Sequence, residues 1–141
     1  YNSSMKNASK YDDLFEKAMK AAANAYAPYS HFRVGAALLL DDGSVITGAN
    51  VENRSYGLTN CAERTAIFHA VAMGKRNFIA IAIATPDAKY PVGPCGACRQ
   101  VISEFMPPEA PVIFGSSADN RIETTVEGVY PFDSLHELQK S

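Results

Sequence analysis

Apolar residues recur along the chain first at helical spacing and then in short extended runs. Phe15, Ala18, Met19, Ala22 and Tyr26 fall on one face of a helix over Tyr11 to Tyr26, closed before Pro28. Arg33 to Leu40 and Ser44 to Gly48 are extended runs, and the Asp42-Gly43 step between them predicts a hairpin. Asn60 stands where it can cap a second helix, Cys61 to Met73, with Gly74 just past its end. Phe78 to Thr85 is continuously apolar and reads as a strand covered on both faces. A Pro-rich loop follows, Pro86 to Pro94, then a third helix, Gly96 to Met106, stopped by Pro107-Pro108. Val112 to Gly115 and Arg121 to Thr125 read as two further strands, and Asp133 to Gln139 as a short closing helix.

This order predicts an α/β fold: a three-layer αβα sandwich around a five-stranded mixed sheet. The first strand pair is expected to be antiparallel. Phe78–Thr85 and Val112–Gly115 are expected to run parallel, joined by a crossover through the third helix. Residues 5–141 are expected to form one domain, and 1–4, ahead of Met5, are set aside as a candidate expression remnant.

Composition narrows the function. Hydrophobic residues make up 47% of the 141 and charged residues 20%, enough for a core. The net charge is −2 and the cations are scattered, which argues against a nucleic-acid partner. The longest apolar runs, Val34 to Leu40 and Phe78 to Ala84, are too short for a membrane span. No secretory pattern opens the chain, so a cytoplasmic location is expected and a disulfide framework is not.

The three cysteines, Cys61, Cys95 and Cys98, then read as metal ligands. Three protein ligands with a fourth position open to water are the count of a catalytic zinc site. Each cysteine lies at or near the start of a predicted helix, where backbone N–H groups favour thiolates. Three thiolates would weaken the metal as a Lewis acid, and Arg64 can donate to a sulfur and offset part of their charge. Glu63 is close to the metal but awkward as a co-ligand, which suits a carboxylate that moves protons. Plainer readings stand beside these. Glu63 could be the far half of a capping box begun by Asn60. Cys95 and Cys98 could be a redox pair. A structural zinc would need a fourth ligand from His31, His69 or His136.

Cys61-Ala62-Glu63 followed by Pro94-Cys95-Gly96-Ala97-Cys98 is similar to the signature of the zinc deaminases. Around it the chain resembles the short, homotetrameric cytidine deaminases. The matching words are Ala27-Pro28-Tyr29-Ser30, Phe32 to Ala37, Asn50-Val51-Glu52-Asn53, Cys61 to Ala66, and Pro94 to Gln100. The resemblance implies one Zn²⁺ per chain on Cys61, Cys95 and Cys98. It implies Glu63 as proton shuttle and Arg64 as the arginine that compensates the thiolates. It further implies Asn50 and Glu52 as ribose readers, Phe32 as the wall on which the pyrimidine stacks, and the Ala62 N–H as donor to the base carbonyl. Tyr56, in the loop after the sugar readers, is grouped with the substrate-binding residues near a subunit boundary. The implied reaction is hydrolytic deamination of cytidine and deoxycytidine, in pyrimidine salvage, by a homotetramer with composite active sites. Two places depart from the pattern. The family sets a phenylalanine a few residues after a Leu-Pro step, whereas here Phe132 follows Pro131 directly and that spacing falls on Ser134. Arg54 is bulky for the sugar-side loop.

Overall fold

The computed structural model describes residues 9–134. Helix α1 spans Asp12–Ala22, with Asp12 and Asp13 in its first turn and Lys20 in its last, complementing the helix dipole. Its buried face is Leu14, Phe15, Ala18, Ala21 and Ala22. The helix is shorter than the spacing predicts. Tyr26 leaves the helical face and pairs through its backbone, its N–H donating to Asn50 and its carbonyl accepting from Glu52 (2.9 and 2.8 Å).

Five strands follow the predicted runs to within a residue or two: β1 Gly35–Leu40, β2 Val45–Ala49, β3 Phe78–Ala84, β4 Pro111–Ser117 and β5 Asn120–Thr125. They form one mixed sheet in the order β2-β1-β3-β4-β5. Only β3 and β4 pair in parallel, Ile81 opposite Val112; the other neighbours are antiparallel. The β1–β2 turn closes through Gly43 at φ 87°, a conformation that favours glycine.

The centre of the sheet sorts its side chains by size. On β3, Ile81 and Ile83 face one layer while Ala80, Ala82 and Ala84 face the other. Small residues on the second face let α1 settle close to the sheet. A Cβ on Gly35 would stand 2.0 Å from the Ala18 carbonyl oxygen. Helices α2, Ala62–Ala72, and α3, Gly96–Phe105, cover the isoleucine face. Each fully buried isoleucine there contributes about 1.5–3 kcal/mol. The first turns of α2 lie against β2, where a Cβ on Gly48 would meet the Ala66 nitrogen at 2.5 Å. That approach places the start of α2 against the sheet.

Two predicted details are corrected. The residue that precedes α2 as its cap is Cys61, not Asn60, whose amide instead donates to the Thr65 hydroxyl at 3.3 Å. After β5 the chain forms a short helix, α4, Val126–Val129, which the apolar pattern does not predict. Thr125 caps it, its hydroxyl accepting from the Gly128 N–H at 3.0 Å. Of the predicted closing helix, Asp133 and Ser134 are not helical, and the remainder lies outside the described residues. Among the described residues, no helix is long and apolar enough to cross a membrane.

Candidate active site

Cys61 and Cys95 occupy equivalent places, each in extended backbone as the residue before a helix. Cys98 lies in the first turn of α3 and Glu63 in the first turn of α2. The two helix starts thus converge, and the N–H groups of their first turns, which lack partners within a helix, face the same region. The three sulfurs lie within 4.8 Å of one another, with Cys61 Sγ and Cys95 Sγ 3.8 Å apart. Zinc–sulfur bonds of about 2.3 Å in a tetrahedron require sulfurs about 3.8 Å apart, so the donor set fits that ion. Among the described residues no histidine, aspartate or glutamate completes the group as a fourth ligand. His31 and His69 therefore do not close the centre; His136 lies outside the described residues.

The electrostatics favour thiolate at Cys61. The Cys61 thiol is pushed down chiefly by the hydrogen bond from Cys98, with the Arg64 guanidinium adding to it. Cys98, buried, is pushed up because its proton is held toward Cys61 and burial disfavours its charge. Arg64 Nη2 donates to Cys61 Sγ at 3.1 Å. Its Nε is buried without a partner. Glu63 is 4% exposed, and burial raises its carboxyl to about 7, opposed by its own backbone N–H. Glu63 follows the cap residue by two positions, and neither Asn60 nor Cys61 caps α2 through its side chain, so the capping-box geometry is not formed.

Beside this centre, Phe32, Asn50 and Glu52 belong to one hydrogen-bonded network. Asn50 Oδ1 accepts from the Val34 N–H and Nδ2 donates to the Phe32 carbonyl, both at 2.9 Å. Glu52 Oε1 accepts from the Tyr29 and Ser30 N–H groups, and Oε2 from the Ser30 hydroxyl. These bonds, the hydroxyl first, hold Glu52 below the usual carboxylate range. Paired backbone bonds between Val51 and Asn60 join this network to the residue next to Cys61. Ala62 opens α2 and is fully buried, its N–H left without a helical partner. Tyr56 is largely exposed and packs edge-on against Tyr29, ring centroids 6.0 Å apart. Arg54 is exposed. Phe132 is 99% exposed, in left-handed backbone at φ 56°. Ser30 enters the sequence analysis only as part of the word Ala27-Pro28-Tyr29-Ser30; its hydroxyl also accepts from the Phe32 N–H at 3.0 Å, a serine turn that is the local signal for its role.

A layered α/β scaffold that brings three thiols and one buried carboxyl together at two helix starts defines a protein built around a catalytic metal centre. The family described as the cytidine and deoxycytidylate deaminase zinc-binding region matches residues 8–114. A cytidine deaminase of Halalkalibacterium halodurans is 54% identical over 118 residues, covering 84% of this chain and 89% of the relative. One from Sporosarcina psychrophila is 49% identical over 120 residues, covering 85% and 88%. The crystal structure of cytidine deaminase from Burkholderia pseudomallei superposes with a TM-score of 0.83 at 46% identity, covering 88% of this chain and 98% of that one. The chain belongs to the cytidine and deoxycytidylate deaminase family. It is accordingly an enzyme, a zinc-dependent deaminase, and its three sulfurs provide for one zinc per chain.

Proposed function

We propose that this enzyme hydrolyses the exocyclic amine of free cytidine and deoxycytidine, leaving uridine or deoxyuridine and ammonia. The observation that carries the reading is the cluster of three cysteine sulfurs with Glu63 buried at the same helix start. Cys61, Cys95 and Cys98 hold the zinc. When bound there, zinc lowers the pKa of water and so supplies a nucleophile near neutral pH.

The chain's own groups do the rest. Glu63 Oε takes a proton and delivers it to N3 of the pyrimidine, then passes a second proton to the departing amine. A carboxyl whose burial lifts it toward neutrality is suited to both directions of transfer. Arg64 draws charge from the Cys61 thiolate, which limits how far three thiolates quench the metal. The Ala62 N–H receives the base carbonyl, and Phe32 stacks on the ring. Asn50 and Glu52 read the sugar. Their bonds to the 29–34 loop leave Asn50 one donor and one acceptor position and Glu52 one acceptor position, enough for ribose hydroxyls. The carboxylate also repels a phosphate, which disfavours nucleotides. Tyr56 and Tyr29 form the outer rim, at a boundary with another copy in a homotetramer whose sites are composite. The reaction serves pyrimidine salvage in the cytoplasm.

The test is ammonia release from cytidine, deoxycytidine and their 5′-monophosphates by zinc-loaded protein. Turnover of both nucleosides, with the monophosphates at least about tenfold poorer in kcat/KM, is expected. A preference for the monophosphates would reverse the assignment of Glu52. An analogue hydrated at the reacting carbon should also bind far more tightly than uridine, because it mimics the tetrahedral stage.

A further inference from the structure

We propose that Asp87 is a positioning residue that, through Arg33, fixes the ring of Phe32 as the wall of the base pocket. This rests on the stacking role given to Phe32 above. The Asp87 carboxylate collects three donors from one residue 54 positions earlier: the Arg33 backbone N–H (2.9 Å), Nε (3.0 Å) and Nη2 (2.7 Å). Two of these form a fork on both carboxylate oxygens, a geometry that fixes orientation as well as distance. The third grips the backbone itself, at the peptide that follows Phe32.

The position of this clamp gives it a use. Asp87 lies in the loop that leaves β3 and leads to Cys95, so it ties the segment bearing the stacking ring to the segment bearing a metal ligand. The rest of the Phe32 backbone is already held from the other side. Its N–H donates to the Ser30 hydroxyl at 3.0 Å and its carbonyl accepts from Asn50. Between those anchors His31 adopts φ 59°, a left-handed conformation that a non-glycine residue keeps only when its surroundings enforce it. The Glu52–Ser30 contacts enforce it from one end and Asp87–Arg33 from the other. Arg33 keeps the Asp87 carboxyl down at about 2, so the clamp stays charged across the working pH range. The pair is partly exposed, 48% and 26% at the two side chains, so its removal costs the fold little. What it sets is the distance between ring and metal centre.

Steady-state kinetics on cytidine, with zinc content and melting temperature measured on the same samples, test this. Asp87→Ala is expected to raise KM about three- to tenfold with kcat within about twofold, the pattern of lost ground-state positioning. Zinc content and the pH profile of kcat should not move. Asp87→Asn, which keeps an acceptor for the Arg33 N–H, should fall between the two. In a Phe32→Ala background, adding Asp87→Ala should raise KM no further, since the ring it positions is gone. The proposal is overturned if Asp87→Ala leaves KM unchanged while Phe32→Ala raises it. It is also overturned if the Asp87→Ala effect persists in full without the Phe32 ring. If Phe32→Ala itself leaves KM unchanged, the stacking role fails and the positioning role fails with it.

Discussion

Glu63 is a side chain that the fold would sooner have neutral. In the metal-free protein its carboxyl sits near 7 against an ordinary 4.5, with burial as the main cause. Between those two values the folded chain keeps a proton that the unfolded chain has released, so stability falls as pH rises through that window. Glu63→Gln is therefore expected to stabilise the metal-free chain increasingly from pH 5 to pH 7, by about 3 kcal/mol at the upper end, in denaturant titrations. Equal stability of the two proteins at pH 7 would contradict this burial-driven shift. Arg64 acts at the same scale. Removing it as Arg64→Ala should weaken zinc binding about 10- to 100-fold in a chelator competition, while Arg64→Lys should recover part of that. The metal centre was legible in the sequence because thiols are few and their spacing is restrictive. Asn50 and Glu52 stand out in the sequence only through resemblance. Nothing in an Asn or Glu at a strand end announces that it ties down a loop some 20 residues earlier, as their bonds to residues 29–34 do.

At the scale of elements, the site depends on where two helices begin. Cys61 and Cys95 can share an ion only if α2 and α3 start side by side, and α2 is placed by its close approach to β2. Gly48 permits that approach; any Cβ there would collide with the backbone of Ala62 and Ala66. Gly48→Ala is expected to cost about 1–3 kcal/mol in unfolding free energy and to lower zinc affinity as well, because the start of α2 must shift. Loss of stability with zinc affinity intact would show that α2 is positioned by something else. The helices and strands themselves were readable from apolar spacing and from Gly and Pro punctuation. The misread pieces have identifiable causes. Tyr26 fits the helical face of α1, yet its backbone is claimed by Asn50 and Glu52, a tertiary pairing invisible to periodicity. The short α4 escapes the pattern because four residues carry too little period, although Thr125 before Val126 and Val129 is a capping signal. On β3 the alternation of isoleucine and alanine is uniformly apolar by composition, yet it sorts large and small side chains to opposite helical layers.

Over the whole molecule, the metal centre joins parts of the chain that the sheet alone holds apart. Cys61 follows the β2 side and Cys95 and Cys98 the β3 side, so a bound ion cross-links α2 to α3 in the folded state only. Zinc should therefore raise the melting temperature, and removal by a chelator should lower it in proportion to affinity and free metal. A melting temperature indifferent to zinc would mean that the three sulfurs do not share one ion. One preparation decides whether the enzyme deaminates cytidine through Glu63. Cytidine loss is followed by ultraviolet absorbance while zinc is counted per chain, in the unaltered protein and in Glu63→Ala. About one zinc is expected in both, with uridine formed by the unaltered chain and kcat lower by at least about a hundredfold in the variant. An unaltered chain that holds its zinc and leaves cytidine untouched, or a variant that keeps full turnover, would contradict that expectation.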